Sequence, residues 1–432
     1  MQEKDNEKFS FIHEKIKEKP LNKRKLLLYL GYAAGLAVVF GLVASLVFAF
    51  FQPKFSSLLH PEDEPVVTIP KDDTEETETE ETTETESEAV PETETETGTE
   101  SSEVPAAGIA ISDFQKLQNE LYAVGREANK FIVTVTGVKS DTDWFNNSYE
   151  SKGQASGVII ADNGQELLVL TERKVITDAQ EMYVTFINGV TAPASMKKYD
   201  GNTGIAVLSV PLENIDQGTL QAISVAELGN SLVTTQGMIA IAVGSPLGTN
   251  YSVLTGNITS TTNSISTIDR NYTVFTTDIV GSSRGSGVLI NTSGQVIGLV
   301  MQDYSNEGER NTLTAISISE LKSVIEMLSN GQDIPYIGLE LTTVTNDIAN
   351  EYEIPKGAYI KEVRMDSPAM AAGLQKGDVI TKMAGETIFN VDTYEKKLME
   401  FAPGEQVEIV VERQSAGRYK EVTCTVEVNI LQ

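Results

Sequence analysis

Residues 26–51 read LLLYLGYAAGLAVVFGLVASLVFAFF, without a single charge, and no other feature constrains the chain as much. About 20 apolar residues span a bilayer as a helix, so this run predicts one transmembrane helix with some tilt. It is too long for the apolar core of a cleaved signal segment, and no small-residue cleavage site follows it. Lys23, Arg24 and Lys25 flank its N-terminal side, while only Lys54 follows closely. The positive-inside rule therefore places residues 1–25 in the cytoplasm as a tail and everything after the helix outside. The expectation is a single-pass protein of the cell membrane with extracellular C-terminal domains.

Residues 52–111 follow as a linker whose centre is Glu and Thr, as in TEETETEETTETESE. Such a segment has almost nothing to bury and is expected to be disordered and extended by like-charge repulsion. It reads as a spacer with a reach on the order of 150 Å at ~3.3 Å per residue. Most of the formal net charge of −29 has its origin here. The balance argues against a nucleic-acid partner, because phosphate binding needs clustered Lys and Arg, although a charge gathered in one stretch says little about a binding surface. The single cysteine, Cys424, rules out an intramolecular disulfide and reads as a small buried strand residue.

From about residue 112 the composition becomes globular. FQKLQNELYAVGREANK (114–130) carries apolar residues at helical spacing. Short β-branched runs punctuated by Gly, Asn and Asp follow, among them ASGVIIADNG, IAVLSV, MIAIAVGSPLG, YTVFTTDIV and SGVLINTSGQVIGLV. Many short strands at this spacing predict an antiparallel barrel or sandwich. SISELKSVIEMLSNG (317–331) reads as an amphipathic helix that closes this unit, and 335–430 as a second unit of strands with two short helices.

The order of motifs in 153–300 resembles the trypsin-fold domain of the HtrA (Deg) serine proteases. Gln154 to Ile160 is similar to the family's G-S-G-V-I-I strand, Asp200 to Leu208 to D-x-x-T-D-L-A-V-L, Gly244 to Gly248 to G-N-P-F-G, and Thr255 to Ser260 to S-G-I-V-S. Thr277–Asp278 and Gly287 to Asn291 flank the position of the family's nucleophile. Further on, Asp366-Ser367-Pro368-Ala369, Ala372-Gly373-Leu374 and Lys376-Gly377-Asp378-Val379-Ile380 resemble the signature of a PDZ domain. The resemblance implies a mostly β protein: a trypsin-like double β-barrel over 112–331, then an α+β PDZ domain over 332–432, both beyond the transmembrane helix and the disordered acidic linker. It also implies trimers assembled through the segment ahead of the barrel. Phe114, Leu117, Leu121 and Tyr122 would serve that, although a helix packed on its own barrel explains them equally well.

The resemblance breaks where the chemistry should be. A serine protease needs a hydroxyl nucleophile, a base to take its proton and an acid to orient the base. The two histidines, His13 and His60, both precede the barrel. The family's L-T-N-x-H-V corresponds to Leu170-Thr171-Glu172-Arg173-Lys174-Val175, so Lys174 stands at the base and Gly204 at the orienting Asp. The nucleophile loop reads Ser283-Arg284-Gly285-Ser286-Gly287-Val288-Leu289. Counting from Asp278 puts Ser286 at the nucleophile, and counting back from Leu289 puts Gly285 there. No triad is intact, and the expectation is a catalytically inactive homologue, a pseudoprotease. The alternative is an active endopeptidase with a Ser286–Lys174 dyad, which needs a neutral lysine.

In the PDZ region, Tyr336-Ile337-Gly338-Leu339 resembles the loop whose N–H groups receive a peptide's terminal carboxylate while its last residues add as a strand. Ile337, Leu339 and Leu398 are the candidates for the apolar pocket. The expected partners are C-terminal or unfolded segments of exported proteins, in envelope quality control; a structural or sensory spacer without peptide ligand is the second alternative. No metal site or cofactor is expected: the chain beyond His60 has no His and one Cys, and no phosphate-binding loop is visible.

Overall fold

The computed structural model describes residues 65–72, 111–142, 148–305, 311–415 and 417–431, together with Arg24, Tyr32, Leu36 and Gly41. The chain divides into two compact units, residues 1–64 and 65–432. In the first unit, the predicted span 26–51 lies outside the described residues but for three isolated helical positions. Among the described residues no helix is long and apolar enough to cross a membrane.

The second unit opens its globular part with helix α1 (Ile111–Ala128). Strands β1 (Ile132–Thr142), β2 (Ser148–Asp162), β3 (Glu166–Glu172), β4 (Glu181–Thr185), β5 (Thr191–Tyr199) and β6 (Ile205–Pro211) close into a barrel in the order β1-β2-β3-β6-β5-β4. A short helix, α2 (Gln217–Ala222), leads toward a second closed barrel, of order β10-β11-β12-β9-β8-β7. It is built from β7 (Ile239–Ser245), β8 (Ser252–Thr267), β9 (Arg270–Val280), β10 (Ser286–Ile290), β11 (Val296–Met301) and β12 (Thr312–Ser317). Helix α3 (Ile318–Ser329) follows. The helices cross over: α1 precedes the first barrel and packs on β7 and β8 of the second, while α3 leaves the second and packs on β5 and β6 of the first. That cover explains why β6 reads IAVLSV without alternation. Its inward face fills the barrel and its outward face lies under α3, so Ile205 to Val210 are buried throughout.

The C-terminal domain is a six-stranded sheet of order β14-β15-β16-β18-β19, with β17 paired to β16. Its strands are β14 (Leu339–Thr343), β15 (Ala358–Val363), β16 (Val379–Met383), β17 (Glu386–Thr387), β18 (Gln406–Ser415) and β19 (Arg418–Glu427). A separate ribbon pairs β13 (Pro335–Tyr336) with β20 (Asn429–Ile430). Its described helices are three rather than two: α4 (Asn346–Tyr352), α5 (Pro368–Ala371) and α6 (Val391–Leu398). Cys424 is buried on β19, as its sequence context predicts.

One part of the linker reading is corrected. Residues 65–72 pack on α3. The Asn330 side chain donates to Val67 O and accepts from Val67 N–H, both at 2.8 Å. Ile69 is buried, and Asp72 meets the buried Lys322 at 2.8 Å and Ser319 Oγ at 2.6 Å. The sequence PVVTIPKD carries enough apolar surface to dock, which its acidic neighbours hide in any average over the region. The Glu/Thr run beyond residue 72 lies outside the described residues.

Candidate functional site

Ser286 is the first residue of β10, at the seam where β10 approaches β2. It is 3% exposed, and its Oγ accepts a hydrogen bond from Ser156 N–H at 3.0 Å. Ser156 Oγ donates in turn to Asn250 Oδ1 at 2.6 Å, and Asn250 Nδ2 donates to Val133 O and Thr134 Oγ1 at 3.0 and 2.6 Å. The hydroxyl is therefore built into a buried network that ties the two barrels together. Gly285 closes a turn, its N–H bound to Ser282 O at 2.7 Å, while Arg284 N–H points to Ser282 Oγ at 3.3 Å. An oxyanion hole needs amides aimed outward at a developing charge. These two aim back into their own turn.

Lys174 sits in a single 3₁₀ turn, Arg173–Val175, directly after β3. Its Nζ lies 2.6 Å from Glu172 Oε2 and donates to Asp303 Oδ2 at 3.1 Å. Burial works to lower the lysine, but hydrogen bonds and charges from Glu172 and Asp303 outweigh it and raise its pKa above the ordinary lysine value. Glu172 is itself pushed upward by desolvation, with Lys174 pulling the other way; at 2.6 Å we take the pair as ionised. Among the described residues no hydrogen bond joins Lys174 to Ser286. Gly204, at φ +74°, closes a turn whose N–H reaches Asp200 O at 3.1 Å and whose carbonyl accepts from Arg173 N–H at 2.7 Å. Asp278 lies on β9, where it accepts from the backbone and side-chain nitrogens of Asn257 at 2.6 and 2.9 Å. Both histidines lie outside the described residues.

The C-terminal loop is organised quite differently. Gly338 takes φ +101°, and a Cβ there would collide with Ser367 and the Tyr336 hydroxyl, so only glycine fits. This turn aims three successive N–H groups at one point. Ile337 and Gly338 donate to Oδ2 of Asp269 at 2.8 and 2.7 Å, and Leu339 donates to Oδ1 at 3.0 Å. The Tyr394 hydroxyl of α6 adds a fourth bond, at 2.8 Å. Burial pushes the Asp269 carboxyl upward while these four donors oppose it. Ile337, Leu339 and Leu398 are all fully buried in the apolar core of this domain, and Tyr336 is half-buried beside them.

Sequence reasoning singled out the loop Tyr336 to Leu339 and missed Asp269, the carboxylate on which its amides converge. Asp269 is one of two residues in the turn between β8 and β9, where Thr267 pairs with Arg270. The stretch STIDRN signals a hairpin, but no local pattern says that its tip reaches a loop so distant in sequence. Tyr394 and Glu395 were missed for the same reason. Glu395 accepts from Asn271 N–H at 2.6 Å, and its carboxyl is pushed up to about 8. Desolvation is the main cause; Asn271 and Arg270 oppose it, and Asp392 and Glu320 add to it.

Residues 155–299 match the family "Trypsin-like peptidase domain" and residues 335–430 the family "PDZ domain". The chain is 29% identical over 288 residues to the "Probable periplasmic serine endoprotease DegP-like" of Halomonas elongata, covering 65% of this chain and 57% of that relative. It is 27% identical over 321 residues to "Serine protease Do-like HtrB" of Bacillus subtilis, covering 68% of each. Among solved structures, "HtrA-type protease AlgW with decapeptide" superposes with a TM-score of 0.53 at 21% identity, over 72% of this chain and 99% of that one. At that identity the likeness speaks for the fold alone.

Proposed function

We propose, on the premise that this chain is a homologue of the HtrA serine proteases with a trypsin-like double barrel and a PDZ domain, that it is a catalytically inactive member which captures C-termini of exported proteins. The observation that carries this reading is the cradle of Ile337, Gly338 and Leu339, whose N–H groups converge on a carboxylate within 3.0 Å. A loop that holds one carboxylate in this way has the donors to hold a peptide's. The inactive reading is supported by the other site. Lys174 is held as an ammonium by two carboxylates, Ser286 is buried with its oxygen already accepting a bond, and the neighbouring amides face inward. A Ser286–Lys174 dyad would need the opposite on each count.

Topology belongs to the same proposal: residues 26–51 anchor the chain, residues 1–25 stay in the cytoplasm, and the barrels and PDZ domain work outside. Phe114 and Leu117 stay exposed on α1 at 63% and 47%, while Leu121 is buried against the barrel. The first two are left for contact between copies in a trimer.

The purified chain should not cleave unfolded casein, nor react with a fluorophosphonate probe. Casein turnover that disappears in Ser286→Ala would overturn the inactive reading. Calorimetry with a peptide library should show binding through free C-termini and loss of at least several-fold on amidation; equal affinity for both forms would make the domain a spacer.

A further inference from the structure

The cradle is not empty of a ligand: the chain supplies one. Asp269 presents more than a charge there. Its own N–H donates to Leu339 O at 2.6 Å, so the residue both receives the three loop amides and pairs with the start of β14. Two residues on, Asn271 Nδ2 donates to Leu341 O at 3.3 Å, the next carbonyl along the same side of β14. β14 is the edge of its sheet. This is the pattern of a bound chain end: a terminal carboxylate in the loop and successive donors laid along an edge strand. The opposite wall, α6, closes over it through Tyr394 to Asp269 and Glu395 to Asn271, and Arg270 is buried against Met399.

We infer that the β8–β9 hairpin tip, Ile268–Asn271, is a built-in occupant of the PDZ groove, and that a peptide with a free C-terminal carboxylate binds only by displacing Asp269. The Asp269 side chain ends in the same group as a chain terminus, sits in the left-handed backbone region at φ +60° that Asp tolerates, and is 2% exposed. The three amides and the Tyr394 hydroxyl already bond to Asp269, so a second carboxylate would have to share one set of donors with it. Binding is therefore a competition between an intramolecular and an intermolecular ligand. The internal one has the advantage of high effective concentration, since its strand is already fixed in the barrel.

The displacement would be felt in the protease-like domain. Asn202 clamps the hairpin tip, donating to Ile268 O at 2.5 Å and accepting from Ile268 N–H at 3.2 Å. Asn202 lies in the Asp200–Gly204 turn, whose Gly204 carbonyl holds Arg173 N–H, next to Lys174. Tyr304 hydroxyl donates toward Asn202 O and Thr203 O at 3.2 and 3.3 Å. Release of the hairpin thus loosens the turn that faces the degenerate site.

This inference rests on the peptide-binding reading, and the test separates the two. Full-length chain, Asp269→Asn and Tyr394→Phe are compared with a random-C-terminus decapeptide library, free and amidated. Asn tolerates the same backbone and keeps an acceptor, so the variant retains the fold. Hydrogen exchange at Ile337, Gly338 and Leu339 is followed in parallel. Free-carboxylate peptides should bind Asp269→Asn at least tenfold tighter than the parent chain and Tyr394→Phe a few-fold tighter. Exchange of the three amides in Asp269→Asn should be at least tenfold faster without peptide. Equal peptide affinity in parent and Asp269→Asn overturns the inference while leaving peptide capture intact. Absence of binding in all three chains sinks peptide capture. In that case amides protected in the parent and exposed in Asp269→Asn still identify Asp269 as the occupant, and amides unchanged between the two overturn that as well.

Discussion

The seam around Ser286 and the cradle around Gly338 are both places where a protein of this architecture aims N–H groups at an anion, and they have ended in opposite states. At the seam, the amides of Arg284 and Gly285 turn back on Ser282 and the hydroxyl is absorbed into contacts between barrels. At the cradle, three amides and a phenol converge on a carboxylate, and every donor is satisfied. The difference lies in the ligand each place holds. A catalytic site needs unsatisfied groups waiting for a transient charge, whereas the amides of Arg284 and Gly285 are spent on internal hydrogen bonds. A loop whose amides hold the carboxylate of Asp269 gains stability directly from those bonds. It therefore persists as part of the fold, and its occupant also joins the two domains.

The largest effect should come from breaking the cradle. Gly338→Val forces a β-branched residue to φ +101° and drives Cβ into Ser367. Strain and overpacking together should cost about 3 kcal/mol or more and abolish peptide binding. Thermal unfolding reads the first and calorimetry the second; unchanged stability would mean the loop is not held as described.

The second is a pH effect on the same side. Glu395 is raised from 4.5 to about 8, so the native state binds its proton more tightly than the unfolded chain does. The stability from this group is then fully present below pH ~4.5 and is lost as pH rises to about 8. Asp269 and Glu320, also raised, act with the same sign. Melting temperature should fall across this window by an amount corresponding to a few kcal/mol, and Glu395→Gln should flatten the fall. A stability that climbs between pH 5 and 8 would show Glu395 to be an ionised partner of Arg270 instead.

At the seam, smaller effects are expected. Ser286→Ala leaves the buried Ser156 N–H without its acceptor and should cost roughly 1–2 kcal/mol with no change in activity. Lys174→Met should cost less, about 1 kcal/mol, because the lysine is 43% exposed and solvent screens much of its interaction with Glu172. Chemical denaturation measures both. A Ser286→Ala variant as stable as the parent, yet altered in hydrolysis, would reverse the assignment of this residue from structural to catalytic.

Much of this was legible in the chain. Short β-branched runs broken by Gly and Asn specify antiparallel strands because pairing and side-chain alternation are local properties, and two six-stranded barrels resulted. That Lys174 and Gly204 carry neither an imidazole nor a carboxylate is also plain from the chain, because a side chain's functional groups do not depend on the fold. Gly338 announced its own turn, since a positive φ with no space for Cβ leaves one residue type. The helices α1 and α3 were readable from apolar spacing to within a few residues of their ends.

What the fold alone decided is where distant segments meet. Asp269 carries no local mark that separates it from any other turn aspartate. It became a ligand because closure of the second barrel projects the β8–β9 tip to the edge of β14. Residues 65–72 look like the start of an acidic linker, and they dock because α3 offers Asn330 and the buried Lys322 at matching positions. The pKa of Glu395 likewise follows from burial beneath a second domain. Composition and periodicity are summed over neighbours along the chain, whereas burial, convergence of donors and competition for a site are set by neighbours in space, and only packing determines those.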